Sequence, residues 1–285
     1  MEPATLVTTI STGRSGTTYL ANLLNRSDNA VIDHEDLPRP SFVLERMNRD
    51  EDWVEYADLF AQLMSMDIAI RRTRSNWPEG IDVIGDTSHV WGKTITHPRS
   101  TLLQAYLVDL SHKVVHLVRP ARACVESLLR YGAFPSLYPS GLHFAMTPDH
   151  PFASVRWPGW LRQYGADGMP TEECAAQRAP LALWYWAEIQ RLGEDAAQDQ
   201  DVITVMLDDL NTIEGAQRVA NHCGIRLHAE QVEHVLRRHD NSSAARGTTP
   251  IRLTDDEWSQ AIEVVELVEM NQVDTTILDL IERYR

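Results

Sequence analysis

Two short stretches hold the residues best suited to chemistry. Ser11-Thr12-Gly13-Arg14-Ser15-Gly16-Thr17-Thr18 gathers glycines and small hydroxyl residues around one cation. It follows an apolar run, Leu6 to Ile10, and precedes an apolar helical pattern, Tyr19 to Leu24. That is a strand, a loop and a helix start. The first N–H groups of a helix lack intrahelical partners and carry the positive end of its dipole, so such a loop stabilises an anion. A Walker-type triphosphatase would need G-x-x-x-x-G-K-[ST]. Gly13 to Gly16 is too short for that motif, and Arg14 precedes the second glycine rather than following it. A phosphate-bearing ligand of another kind is indicated. The second stretch is the buried-strand run Lys113-Val114-Val115-His116-Leu117-Val118, which leads into Arg119-Pro120-Ala121-Arg122 and a helix carrying Ser127, eight residues after Arg119. Taken alone, Arg119 reads as a surface cation at a strand end and Ser127 as a solvent-facing helix position.

The elements that position these residues alternate. The spacing predicts strands over 5–10, 30–34, 82–85, 113–118 and 202–207. Helices are expected over 17–26, 52–70, 98–109, 120–131, 177–197, 213–223, 229–239, 254–270 and 272–283. Thr254-Asp255-Asp256-Glu257 has the pattern of a capping box. Short apolar strands alternating with helices specify an α/β fold, a three-layer parallel sheet covered by helices on both faces. In such sheets ligands sit at the carboxyl ends of the strands, where both stretches lie. Residues 132–170 break the alternation, interleaving glycines and prolines with Phe134, Tyr138, Phe144, Phe152, Trp157 and Trp160. They are expected to form a folded lid or acceptor-pocket wall within one domain spanning 1–285.

Composition narrows the partners. The net charge is −15, and of 26 basic residues only Lys93 and Lys113 are lysines, so a catalytic cation is expected to be an arginine. A globally acidic surface disfavours nucleic acid and polyanionic glycans, because like charges repel and counterion release gains nothing. No run approaches the ~18 apolar residues of a membrane span, and a cytoplasmic location is expected. Cys124, Cys174 and Cys223 form no C-x-x-C pair. Of the eleven histidines only His112 and His116 stand four apart, at a predicted strand rather than on a helix, and none forms H-E-x-x-H, so no metal site is expected.

Taken together, GRSGTTYL at 13–20 and HLVRPARACVES at 116–127 resemble the two cofactor signatures of the sulfotransferases that use 3′-phosphoadenosine 5′-phosphosulfate (PAPS). The segment Val205-Met206-Leu207-Asp208-Asp209-Leu210 and the aromatic helix around Trp184-Tyr185-Trp186 resemble that family more weakly. The resemblance implies a P-loop nucleotide-hydrolase-like fold. It also implies that Gly13, Arg14, Ser15, Gly16, Thr17 and Thr18 bind the 5′-phosphosulfate, and that Arg119 and Ser127 bind the 3′-phosphate. Arg14 stands where cytosolic sulfotransferases carry lysine and the tyrosylprotein branch carries arginine, and is the expected transition-state cation. In the tyrosylprotein branch a catalytic glutamate follows the loop arginine by twenty-one residues; here that offset lands on Glu35, within Asp33-His34-Glu35-Asp36. Glu35 is therefore the first candidate for the base, with His34 and His89 as rivals. Gly85-Asp86-Thr87-Ser88-His89 stands where many members carry G-[DE]-K-[ST]-P, so Thr87 replaces a lysine. Lys93 is an alternative second cation, and Arg246, in a polar stretch, a further cofactor contact. The expected activity is sulfuryl transfer to a hydroxyl of a small-molecule or biosynthetic-intermediate acceptor, with adenosine 3′,5′-bisphosphate as product. A P-loop phosphotransferase and a catalytically silent PAPS-binding module are the alternatives. The sequence does not specify the oligomeric state.

Overall fold

The computed structural model describes residues 5–12, 14–34, 80–87, 111–130, 172–199, 201–236, 251–269 and 273–285. In chain order the elements are β1 (Thr5–Ile10), α1 (Thr17–Leu24), β2 (Ala30–Asp33), β3 (Val83–Asp86), β4 (Ser111–Val118), α2 (Ala121–Arg130), α3 (Glu172–Asp199), β5 (Val202–Met206), a 3-10 turn (Leu207–Asn211), α4 (Ile213–His222), α5 (Ala229–Leu236), α6 (Asp255–Glu269) and α7 (Ile277–Arg283). The expected helices over 52–70 and 98–109 and the insertion at 132–170 lie outside these residues.

All five strands pair in parallel, in the order β2-β3-β1-β4-β5. Alternation along the strands sends side chains to opposite faces. Val114 and Val118 of β4 join Ile10 in a core with α2, α3, α6 and α7. Val115 and Leu117 join Val7 in a second core with α1, α4 and α5. This is the expected three-layer, P-loop nucleotide-hydrolase-like architecture. Its consequence for the site lies in the strand order: β1 is central, the chain passes from it to β2 on one side and later to β4 on the other, and the order reverses there. The crevice outside β1 is thus the topological switch point.

Two histidines of β4 are absorbed by the fold. His116, fully buried, meets Gln190 Oε1 through Nε2 at 2.9 Å and Thr204 Oγ1 through Nδ1 at 3.3 Å. His112 Nε2 meets Thr8 Oγ1 at 2.8 Å. Burial disfavours the imidazolium and pushes both down to about 4.

The boundaries differ from expectation where tertiary packing or an unread cap intervenes. Helix α3 starts at Glu172 and runs through Pro180. Proline removes a helical N–H, but residues 178–187 are buried throughout and packing holds the helix together across it. Helix α7 begins at Ile277 rather than 272, because Thr276 and Asp279 form a capping box. The box expected at Thr254 is present: the Glu257 N–H donates to Thr254 Oγ1 at 3.2 Å, and the Thr254 N–H donates to Glu257 Oε2 at 2.7 Å.

Candidate functional site

The loop after β1 is built from hydroxyl side chains that point inward. Ser11, Thr12 and Ser15 are buried, and Thr12 Oγ1 lies 2.6 Å from Ser15 Oγ. Gly16 is the N-cap of α1 at φ 95° and offers no side chain to the first helical N–H groups. No acidic residue stands in the first turn of α1, so its positive end is not neutralised from within the helix. Arg14 has φ 54°, the left-handed region. For a residue with a Cβ this conformation costs roughly 1–2 kcal/mol, and such strain is held in place by surrounding structure.

Arg119 helps to hold it. The residue follows β4, the strand next to β1, and its Nη1–H donates to the carbonyl oxygen of Arg14 at 3.0 Å. Its own carbonyl accepts from Trp186 Nε1 of α3 at 3.0 Å, which fixes the backbone from which the guanidinium projects. A second tie comes from α2, where Cys124 Sγ lies 3.0 Å from Thr12 Oγ1 and 4.0 Å from Ser15 Oγ. Burial raises this thiol above its usual range, opposed by its bond to Thr12, by the charge of Arg119, by its bond to Ser15 and by the charge of Arg14. Both arginines thus act on one point beneath the loop. Ser127, three residues beyond Cys124 on α2, shares its side of the helix. It is 4% exposed and so does not face solvent.

On the other side of β1, Thr87 follows β3 and His34 follows β2. Thr87 is fully buried, and its hydroxyl donates to the carbonyl oxygen of Thr17, the first residue of α1, at 2.9 Å. The same oxygen lies 3.2 Å from His34 Nδ1. The residue standing in for a lysine is therefore a tie between two strand ends and the first turn of α1.

Of the residues nominated from sequence, Arg14, Ser15, Gly16, Thr17, Thr18, Arg119 and Ser127 are described and lie on the loop, on α1, or at the start and along the length of α2. Gly13, Glu35, His89, Lys93 and Arg246 lie outside the described residues. Thr12, Cys124 and Trp186 were not nominated. Thr12 and Cys124 had a legible signal, since one sits in the loop and the other in the R-P-A-R-A-C run; Trp186 had only the weaker family resemblance of its helix. Among the described residues, no group of three or more His, Cys, Asp or Glu side chains is arranged to hold a metal ion. No helix among them is long and apolar enough to cross a membrane.

No protein-family model and no curated protein matches the chain. Among the solved structures similar to it are two sulfotransferases. The sulfotransferase domain from the Synechococcus PCC 7002 olefin synthase is 15% identical with a TM-score of 0.48, covering 92% of this chain and 94% of that one. A sulfotransferase from Alicyclobacillus acidocaldarius is 12% identical with a TM-score of 0.42, covering 96% and 98% respectively. Both likenesses are distant.

Proposed function

We propose that the protein transfers the sulfuryl group of PAPS to a hydroxyl of a small-molecule acceptor. The observation that carries this reading is the bond from Arg119 Nη1 to the Arg14 carbonyl. It joins the two sequence stretches expected to hold the two anionic ends of one ligand. The donor set fits two such groups. A helix N-terminus with Arg14 suits a phosphosulfate, and Arg119, with one of its five N–H donors given to the loop, has others to direct at a second phosphate. The open N-cap at Gly16 fits an approach of phosphate oxygens to backbone N–H groups.

PAPS supplies the sulfuryl group when bound, and the chain's residues do the rest. Arg14 and the first turn of α1 neutralise the charge that collects on the phosphate oxygen as its bond to sulfur breaks. Preorganised charge of this kind is usually the largest catalytic contribution. The guanidinium binds two oxygens at once and keeps its proton, so its role is electrostatic. Arg119 and Ser127 hold the 3′-phosphate, with Arg246 a further cofactor contact, and the anchoring through Trp186 and Cys124 keeps the two phosphate subsites at a fixed separation. A base must take the acceptor's proton, and Glu35, His34 and His89 are the candidates that the sequence supplies.

The test is incubation with [35S]PAPS and a panel of phenols, aliphatic alcohols and sugars. The expected result is labelled product and stoichiometric adenosine 3′,5′-bisphosphate without added metal, abolished by Arg14→Ala. Turnover of magnesium-ATP instead would assign the loop to phosphoryl transfer, and binding without turnover on any acceptor or water would leave a PAPS-binding module.

A further inference from the structure

Resting on the sulfuryl-transfer reading, we propose that Tyr284, at the end of α7, is a positioning residue for the 3′-phosphate, acting through Trp186 on Arg119. The first backbone bond of α2 runs from the Cys124 N–H to the Pro120 carbonyl at 2.9 Å. The Arg119 carbonyl therefore stands one residue ahead of the helical ladder, and Trp186 Nε1–H donates to it at 3.0 Å. An indole has one N–H and no acceptor, so the orientation of this ring decides whether the Arg119 carbonyl is held. The guanidinium projects from the same residue.

The indole is oriented from α7. Trp186 is fully buried, and Tyr284 meets it edge to face, with ring centroids 6.4 Å apart and planes at 83°. The same tyrosine ring meets His116 of β4 at 5.9 Å and 84°. Its hydroxyl donates to Glu194 Oε1 at 2.9 Å, and Glu194 also pairs with Arg283. Gln190 closes the group: its Nε2–H donates to the Trp186 carbonyl at 3.0 Å, and its Oε1 lies 2.9 Å from His116 Nε2. Tyr284 is thus held at its hydroxyl and packed against both a strand residue and the indole. Close-packed interiors transmit displacement, because few voids take it up. Truncating Tyr284 opens space beside Trp186 that its neighbours refill only partly. The indole then has room to turn, and a misplacement of about 1 Å at a binding group is enough to weaken its action. The 5′ end is affected less, because the loop keeps its bonds to Cys124.

Isothermal titration calorimetry of the full chain with adenosine 3′,5′-bisphosphate and with adenosine 5′-monophosphate tests this. Tyr284→Ala is expected to weaken the bisphosphate about tenfold and the monophosphate at most about twofold. Tyr284→Phe, which keeps the ring and loses the hydroxyl, should restore most of the loss. Tyr284→Leu leaves a smaller void, is the second variant should the alanine chain not fold, and should show the same selectivity. Trp186→Phe removes the N–H and should give the same selective loss; adding Tyr284→Leu to it should change the bisphosphate affinity by less than about twofold, because both act along one path. A loss of the same factor for both nucleotides overturns the proposal. So does full bisphosphate affinity in Tyr284→Leu, or losses that multiply in the double variant. A wild-type chain that binds the bisphosphate no more tightly than the monophosphate overturns the sulfuryl-transfer reading itself, and that result is read before any variant is made.

Discussion

Replacing Gly16 by alanine tests the loop geometry with a magnitude that the coordinates supply. Gly16 has φ 95° and ψ 21°, and a Cβ built there falls well inside contact distance of Leu207 Cδ1 and 3.5 Å from Leu207 Cγ and Cδ2. Two costs add. The left-handed backbone costs an alanine roughly 1–2 kcal/mol. Displacing the end of Leu207, a flexible side chain packed on the second core, costs about 1–2 kcal/mol more. The sum, about 2–4 kcal/mol, is less than a typical domain's stability, so the variant folds. With an unfolding entropy of about 2.1 cal/mol/K per residue, it should melt about 3–7 °C lower. Gly80→Ala is the internal control, because Gly80 has φ +100° and a Cβ there meets no atom of the described residues within 4 Å. Urea unfolding of both variants therefore separates backbone from contact: Gly16→Ala should exceed Gly80→Ala by about 1–2 kcal/mol, and Leu207→Ala in the same chain should remove that excess in a double-mutant cycle. Equal costs for the two glycines, or an excess that survives removal of Leu207, would refute the close approach of Leu207 to the loop. The same variant should bind adenosine 3′,5′-bisphosphate about tenfold more weakly, since the loop's N–H groups must shift.

Three further outcomes follow from buried groups. His112 and His116, each pushed down to about 4, bind protons more readily in the unfolded chain. Their contribution is complete above about pH 6.5 and is lost as pH falls toward 4, at about 3 kcal/mol each. Glu188, raised by burial, opposes them. Urea unfolding from pH 7 to 4.5 should show His116→Gln flattening the slope by up to ~1.4 kcal/mol per pH unit. Cys124 and Cys223, fully buried with thiols raised by burial, should react with a disulfide reagent only as fast as the chain opens, and residue-level mass spectrometry checks this. Glu126 is buried on α2 and accepts from the Leu253 N–H at 3.1 Å and Arg252 Nη1 at 2.6 Å. Because the Arg252 side chain is 78% exposed and water can replace its partner, Glu126→Ala should cost about 1–3 kcal/mol, chiefly from the orphaned Leu253 N–H, as measured by urea unfolding.

The sheet was legible because parallel strands buried on both faces read as short apolar runs, as Val114 to Val118 do. The loop was legible because glycine, hydroxyls and a cation before a helical pattern have few other uses. What could not be read are contacts made across the sheet order. Thr87 looked like a lost lysine, and its bonds to Thr17 and His34 exist only because β3 lies between β1 and β2. Cys124 stands in the R-P-A-R-A-C run, but its partners Thr12 and Ser15 lie over a hundred residues away. Ser127 was read alone as solvent-facing and is buried, because α2 is covered by the α3 and α6 layer, which nothing local to 120–131 reveals. The start of α7 was misplaced because Thr276 was not paired with Asp279 as a cap.

The central claim is that the loop around Arg14 and the start of α2 form one site for a nucleotide carrying both a 5′- and a 3′-phosphate. Thermal unfolding with adenosine 3′,5′-bisphosphate, set beside ADP and magnesium-ATP at equal concentration, tests it most directly. A ligand at a hundred times its dissociation constant stabilises by about 2.7 kcal/mol. The predicted result is a raised melting temperature with the 3′-phosphorylated nucleotide alone, abolished by Arg119→Ala. An equal rise with magnesium-ATP, or a rise that persists in Arg119→Ala, would contradict it.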